Sequence, residues 1–284
     1  MTSICASLFL QPELSVRKYS FFGARAHHYR VSSSQLDASG FGGDLDPLVA
    51  QRKALFEFVE RMVFRQFREA DDHSSSGWAA HESLDLAKRA SRFELLERDA
   101  LLVSWLSRTS PRYLGLTQPD SGGSQMHLLE FGRGSDFVVL GMLLESDNHR
   151  SRMLISTCSS SVTDGIEKLR VDSERALILM RNQGNNLPEQ MRLHQFEFCE
   201  ALALDIDWLF KNGAGLIYPD IEFEYRSFEV PIWNGKIAYV CRAHSHYLQE
   251  LFYGSAKIGN INRRRLRPLL SRPYRLNRMV HPIL

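Results

Sequence analysis

Residues 221–242, IEFEYRSFEVPIWNGKIAYVCR, contain the clearest local fold signal in the chain. Two runs rich in β-branched and aromatic residues flank the pair Asn234-Gly235. This pair favours a type I′ hairpin turn, because both residues tolerate positive φ angles. The stretch therefore predicts two antiparallel strands joined by a tight turn, and it places Arg226 and Arg242 on paired strands.

More strands are predicted upstream of this hairpin, at residues 125–131, 136–144 and 152–157, where the period of apolar residues is strand-like. Short segments rich in Gly, Ser, Asp and Asn separate them. Strands joined in this way favour an antiparallel meander. A helix is predicted to follow at 162–169, and residues 176–180 are predicted to form a further strand.

The N-terminal half predicts two amphipathic helices. Asp46-Pro47 opens the first, because Asp accepts a hydrogen bond from a helix N–H group and Pro is preset for the first turn. Its apolar residues recur at helical spacing up to Phe67. A second helix is predicted from about Ser83 to Ser107, with Pro111 as its stop. With a further helical region at 188–210, the expected class is α+β: an antiparallel sheet with flanking helices, preceded by a helical N-terminal region.

Composition limits the classes of function. The 284 residues include 35 basic and 33 acidic side chains, a formal charge of +2, so no global field attracts nucleic acid or anionic lipid. No apolar run approaches the roughly 20 residues of a spanning helix, so a soluble protein is expected. The four cysteines are scattered without a CxxC pair, which argues against disulfides and a structural zinc site.

Residues 1–43 differ in composition from the rest of the chain. They contain only two acidic residues, Glu13 and Asp37, beside several basic residues and many serines. This composition is typical of a transit peptide, although a disordered N-terminal arm has a similar one. Residues 44–120 are then predicted to form the helical region, and residues 121–284 the α+β domain.

Three collinear parts of the C-terminal half resemble the chorismate lyase family. They comprise Ser161–Leu169 with 177–184, then Tyr225–Val230 with 234–235 and Ala238–Arg242, and lastly Arg272–Leu276 with Pro282–Leu284. The resemblance implies conversion of chorismate to 4-hydroxybenzoate and pyruvate, or binding of a related aromatic carboxylate. It implies no metal and no other cofactor.

The same resemblance assigns roles to individual residues. Chorismate is a dianion, and arginine binds carboxylates bidentately through planar, permanently charged donors. The family's glutamate near the last strand has no counterpart after Leu276, so Glu224 or Glu229 is expected to replace it in catalysis. The implied substrate-binding residues are Val162, Thr163, Arg226 and Arg242.

The implied substrate also bears on cellular location. Chorismate is made in the plastids of photosynthetic cells, so the resemblance and the composition of residues 1–43 together predict a plastid protein, with the mitochondrion as the alternative. The expected partner is a small aromatic carboxylate of quinone biosynthesis.

A second enzyme class leaves traces in the sequence. Tyr29–Ser32, Ser156–Ser159 and Glu222–Glu224 resemble the Arg, Ser-Thr-Ser and Glu-x-Glu motifs of mono-ADP-ribosyltransferases. In that class these residues hold NAD and stabilise an oxocarbenium-like transition state. Arg30 is the weak point of this alternative, because it lies inside the expected transit peptide.

A third alternative is RNA binding, because a basic cluster can contact phosphates without reading sequence. The cluster comprises Arg263, Arg264, Arg265 and Arg267. His244 and His246 have the spacing of one strand face, but no third ligand is near them in sequence, so a metal site is not expected.

Overall fold

The structure is a computed structural model of the chain. It describes residues 2–3, 14–19, 25–36, 38–68, 75–117, 125–145, 152–181, 207–232, 236–252, 257–270 and 276–277. Antiparallel sheets combine with helices, which confirms the predicted α+β class. The chain divides into two compact units, residues 1–95 with 222–245 and residues 96–221 with 246–284.

The first unit contains two sheets. The three-stranded sheet is antiparallel and consists of β2 (Ser15–Tyr19), β3 (His27–Ser33) and β4 (Ala38–Asp44). The four-stranded sheet has the order β1-β11-β12-β5 and consists of β1 (Thr2–Ser3), β5 (Trp78–His81), β11 (Glu224–Pro231) and β12 (Ile237–His244). Its β1 strand pairs with β11 in parallel, whereas its other pairs are antiparallel.

Helix α1 (Pro47–Phe67) packs against both sheets of this unit. It begins where the sequence predicts, because the Asp46 side chain accepts hydrogen bonds from the backbone N–H groups of Leu48, at 2.7 Å, and Val49, at 3.4 Å. Strand β4 lies so close to α1 that a Cβ atom added to Gly40 or Gly42 would overlap the α1 backbone. The core between helix and sheets includes Tyr29, Val31, Ala38, Phe58, Val59, Trp78, Phe228 and Val240.

The predicted hairpin is present as β11 and β12, and Arg226 lies directly opposite Arg242 in its register. The turn residues Asn234 and Gly235 lie outside the described residues, so the type of turn stays a prediction. Strand β12 pairs on its other side with β5. The hairpin therefore groups with residues 1–95 and not with the residues 121–221 that precede it. The predicted boundaries at residues 43 and 120 stay a prediction.

The second unit is built on a five-stranded sheet. Its strands are β6 (Arg112–Thr117), β7 (Gln125–Arg133), β8 (Val138–Glu145), β9 (Arg152–Ser159) and β10 (Leu216–Ile217). The antiparallel β7-β8-β9 meander is the one that the sequence predicts. Helix α2 (Leu84–Ser107) also has the predicted bounds, and its residues 96–107 belong to this unit.

Helix α3 (Val162–Arg181) corrects one part of the prediction. Residues 176–180 are helical and not a strand, because the helix that starts at Val162 continues through them. Leu169 and Ala176 lie two turns apart and are both buried against the sheet beside Met126 and Leu140. This helical spacing of buried residues favours a helix that packs one face against the sheet. A run of aliphatic residues, as at 176–180, is compatible with a strand as well, and so the sequence alone was misleading.

The remaining helical segments are short. The described part of the predicted helical region at 188–210 is a 3₁₀ turn, Asp207–Phe210, and the rest lies outside the described residues. Helix α4 (Arg263–Leu266) begins after Asn262, whose side chain accepts a hydrogen bond from the Arg265 backbone N–H at 3.2 Å. Within the described ranges, no helix combines the length and hydropathy that a membrane span needs.

Candidate functional site

Helices α1 and α2 carry the same five-residue pattern, E-x-x-E-R, at Glu57–Arg61 and at Glu94–Arg98. Residues three apart in a helix are neighbours on its surface, so each pattern presents a pair of carboxylates. All four glutamates are partly buried. None of the site residues predicted from the sequence belongs to this pattern, and its repetition in two predicted helices is the signal that could have revealed it.

On α1, the first glutamate of the pattern is held by strand β4. Its Oε2 atom accepts a hydrogen bond from the Phe41 backbone N–H at 2.8 Å, and its Oε1 atom lies 2.5 Å from the Arg61 guanidinium. This contact depends on the glycine residues of β4, since only a strand without Cβ atoms at Gly40 and Gly42 can lie so close to the helix. The Glu57 carboxylate is thus oriented by one backbone amide and one positive charge.

Lys53 lies one helical turn before Glu57 and binds the end of β4. Its Nζ atom donates to the Asp44 carboxylate at 2.7 Å and to the Gly43 carbonyl oxygen at 3.3 Å. Burial alone would raise the pKa of Asp44, but the hydrogen bond from Lys53 and the Asp46 backbone amide outweigh it. The pKa of Asp44 therefore lies below its ordinary value, and its carboxylate is ionised at neutral pH.

On α2, the second glutamate of the pattern is held by strand β9. Glu97 Oε1 accepts a hydrogen bond from the Ser156 hydroxyl at 2.7 Å, and Oε2 accepts one from the Cys158 backbone N–H at 3.2 Å. The Arg98 guanidinium makes a longer contact, 3.5 Å, with Oε1. The two donors closest to the Glu97 carboxylate, the Ser156 hydroxyl and the Cys158 backbone N–H, are therefore both uncharged.

These paired carboxylates fit a magnesium–nucleotide complex better than a bare metal ion. Among the described residues, no group of three or more His, Cys, Asp or Glu side chains could hold a metal. Mg²⁺ in nucleotide sites is ordinarily bound by one or two protein carboxylates, with phosphate oxygens and water completing the shell. The two carboxylates of a single E-x-x-E-R pattern are enough to meet that requirement.

Asp99 follows the pattern of α2 directly and is fully buried. Its carboxylate accepts hydrogen bonds from the Tyr218 hydroxyl at 2.6 Å, the Gln249 backbone N–H at 2.7 Å and the Arg265 Nη2 at 2.9 Å. Burial raises the pKa of Tyr218, and the Asp99 charge raises it further. Burial would lower the pKa of Arg265, but the same Asp99 charge raises it, so the Arg265 guanidinium stays charged.

The Asp99 network corrects the RNA-binding alternative. Arg265 is only 5% exposed, and its guanidinium lies 4.8 Å from the Tyr218 ring centre and 5.1 Å from that of Tyr247. It is therefore part of the interior, whereas Arg263, Arg264 and Arg267 are exposed. The cluster of four does not form one phosphate-binding surface.

Two side-chain amides order the segment beyond Asp99. Gln249 accepts a hydrogen bond from the Asn262 backbone N–H at 2.7 Å and donates to the carbonyl oxygen of Asn260 at 2.7 Å. The Asn262 Nδ2 atom lies 3.1–3.2 Å from three consecutive carbonyl oxygens, those of residues 246–248. These contacts connect the described residues between 246 and 265 to Asp99, and the helical segments among those residues are short.

The structure brings four of the six predicted site residues onto one hairpin. Glu224 and Arg226 lie on one face of β11, whereas Glu229 lies on the other, because successive side chains of a strand alternate. Glu224 and Glu229 therefore cannot serve one site together. The Arg226 guanidinium lies 5.1 Å from the Phe228 ring centre, and that of Arg242 lies 5.9 Å from the Trp78 ring centre.

The other two predicted residues belong to the second unit. Val162 and Thr163 are the first residues of α3, and both side chains are exposed. The motifs assigned to an ADP-ribosyltransferase are likewise split, since Arg30 belongs to the first unit and Ser156 to the second. Ser156 binds Glu97, which is a different role from holding NAD.

His127 is a buried histidine of the second unit with a polar environment. Its Nδ1 atom lies 3.2 Å from the Tyr113 hydroxyl, and its Nε2 atom lies 3.8 Å from the Glu145 carboxylate. The Arg152 Nε atom donates a hydrogen bond to Glu145 Oε1 at 2.6 Å. Burial is the main cause that lowers the pKa of His127. The negative charge of Glu145 raises this pKa, whereas the positive charge of Arg152 lowers it.

A pH dependence of stability follows from His127. Because its pKa is lower in the folded state, the unfolded chain binds the proton more readily, so stability is expected to fall as pH drops below about 6.5. His81 adds an effect of the same sign. We expect His127→Gln to reduce this loss in thermal melts between pH 7.5 and pH 5.5. An unchanged slope of melting temperature against pH would assign the dependence to other groups.

Structural comparison identifies proteins with the same architecture. YcaO from Methanopyrus kandleri bound with AMPPCP and Mg²⁺ matches with a TM-score of 0.60 and 14% identity, over 84% of this chain and 86% of that one. The chain shares the fold of YcaO. The E. coli microcin synthetase McbBCD complex with pro-MccB17 bound matches with a TM-score of 0.64 and 11% identity, over 98% of both chains.

A heterocyclase in complex with substrate and cofactor also matches, with a TM-score of 0.58 and 12% identity over 84% of this chain and 50% of that one. No protein-family model and no curated protein matches the sequence. At these identities, the likeness establishes the fold alone.

The YcaO fold overturns the chorismate lyase resemblance. The implied lyase activity, the aromatic carboxylate partner and the link to quinone biosynthesis were therefore wrong, and neither the NAD nor the RNA alternative gains support. The segments that carried the resemblance, a Ser-Val-Thr helix start and an Asn-Gly hairpin, occur in many folds. The roles assigned to Val162, Thr163, Arg226 and Arg242 rested on it, as did those of Glu224 and Glu229.

Proposed function

We propose that this chain binds MgATP and takes part in ATP-dependent heterocyclisation of a peptide, together with partner proteins. The observation that supports this function is the presence of two E-x-x-E-R carboxylate pairs in a chain with the fold of YcaO. YcaO was solved with AMPPCP, an ATP analogue, and Mg²⁺, and the microcin synthetase is a complex with a bound peptide, pro-MccB17.

In this proposal the magnesium ligands come from the carboxylate pair of α2, Glu94 and Glu97. Carboxylates suit this role because Mg²⁺ is a hard cation that prefers oxygen donors. Bound MgATP supplies the energy of phosphate-bond cleavage for the loss of water that closes a ring. The chain's own contribution is to orient the carboxylates, as the Ser156 hydroxyl and the Cys158 backbone amide do for Glu97.

Calorimetric titration of the full chain with AMPPCP, with and without MgCl₂, tests the nucleotide site. We expect magnesium-dependent binding that weakens at least about tenfold in Glu94→Gln and in Glu97→Gln, since loss of a ligand costs at least as much as loss of a residue supporting one. Glu82→Gln is the matched control, because Glu82 is an exposed acid that pairs with Arg52 outside both patterns. Absence of magnesium-dependent binding in the wild-type chain would exclude this function.

Peptide heterocyclisation has its own readout. Incubation of the chain and its partner proteins with a peptide rich in Cys, Ser and Thr should remove one water molecule per ring, which mass spectrometry detects. An unchanged peptide mass with MgATP bound would restrict the proposal to nucleotide binding.

A further inference from the structure

We infer that Ser156 is a positioning residue for the Glu97 carboxylate, and through it for magnesium in the proposed nucleotide site. This inference rests on the proposed function and deepens it. Its basis is the 2.7 Å hydrogen bond from the Ser156 hydroxyl to Glu97 Oε1, made beside the 3.2 Å bond from the Cys158 backbone N–H to Oε2.

The position of these donors follows from the register of β9. Ser156 and Cys158 are two residues apart on β9, so the Ser156 hydroxyl and the Cys158 backbone N–H are near neighbours along the strand. Glu97 spans this interval with its two oxygen atoms, one on each residue. Since both oxygens are occupied, the side-chain torsion angles of Glu97 are restricted, and its carboxylate plane is fixed before any ligand arrives.

The charge of the donors distinguishes Glu97 from its counterpart on α1. Glu57 makes an ion pair with Arg61 at 2.5 Å, which offsets much of its negative charge. Glu97 has neutral donors at hydrogen-bond distance, and Arg98 stands farther off at 3.5 Å. Neutral donors bring no positive charge beside the carboxylate. The donors closest to Glu97 therefore offset less of its negative charge than Arg61 offsets at Glu57.

Removing the Ser156 hydroxyl should therefore have a larger effect on the affinity for magnesium than on the melting temperature. Groups that orient a metal ligand typically change metal affinity by about 10- to 100-fold when they are removed. We expect Ser156→Ala to raise the MgCl₂ concentration needed for half-maximal AMPPCP binding about tenfold, with little change in melting temperature, because Ser156 is only half-buried. Ser156→Thr keeps the hydroxyl and should restore most of the affinity.

Magnesium titrations of AMPPCP binding by the full chain separate the outcomes. Ser160→Ala is the control, because Ser160 is exposed and follows the same strand. An unchanged magnesium requirement in Ser156→Ala, with wild-type binding intact, would overturn this inference and leave the proposed function standing. Equal losses in the Ala and Thr variants would also overturn it, since the hydroxyl would not be the cause. Absence of magnesium-dependent binding in the wild type would overturn both.

Discussion

Replacing Asp99 with Ala is expected to lower the free energy of unfolding by about 3–5 kcal/mol, because a buried guanidinium then loses its counter-ion. Arg265 is 5% exposed, so water cannot replace the lost carboxylate. The Tyr218 hydroxyl and the Gln249 backbone N–H lose their acceptor at the same time. Urea unfolding followed by circular dichroism measures the change.

A double-mutant cycle separates the ion pair from the general effect of truncation. Asp99→Ala combined with Arg265→Ala should cost less than the sum of the two single changes, since neither charge is then left alone. Glu167→Ala, at an exposed acid on α3, should change stability by no more than about 0.5 kcal/mol. Strict additivity of the Asp99 and Arg265 effects would show that the pair does not act as a unit.

Deleting residues 1–43 is expected to unfold the first unit. The deletion removes β2, β3 and nearly all of β4, and with them the side chains of Tyr29, Val31 and Ala38 that cover α1. Each large apolar side chain contributes about 1.5–3 kcal/mol through burial, against a total stability of about 5–15 kcal/mol for a domain. Loss of helical circular dichroism and of a cooperative transition are the expected results.

This deletion also tests the expected transit peptide. Removal of residues 1–24 is the control, because it keeps β3 and β4 and so most of the cover of α1. If residues 44–284 melt like the full chain, the strands within residues 1–43 contribute little to stability. That result would support a removable targeting segment of 43 residues. The plastid location stays a prediction, and it loses the part of its argument that rested on chorismate.

Local features of the fold could be predicted from the sequence. The Asp46 cap, the bounds of α2, the β7-β8-β9 meander and the β11-β12 hairpin depend on residues close together in the chain. Pairing of β12 with β5 could not be predicted, because residues 78–81 and 239–242 are far apart in sequence and carry no mutual signal. For the same reason, the grouping of the hairpin with residues 1–95 could not be predicted.

The candidate site was missed for a different reason. The helices are predicted from their apolar positions, such as Val59 and Leu96, and that prediction takes no account of the glutamates between them. Asp99 shows the limit of this reasoning, since a charged residue among apolar positions gives no sign that it is buried. Its partners Tyr218, Gln249 and Arg265 come from distant segments, so the network became visible only when the chain was folded.

The way in which Gln249 and Asn262 order their segment has an evolutionary consequence. Two amide side chains hold both ends of residues 249–262, whereas Lys257 and Gly259 between them are exposed. Loop closure costs little more free energy when a loop lengthens, so insertions between the two anchors are tolerable as long as both amides remain. Homologous chains are therefore expected to vary in length and residue type here, while Gln and Asn persist at the two ends.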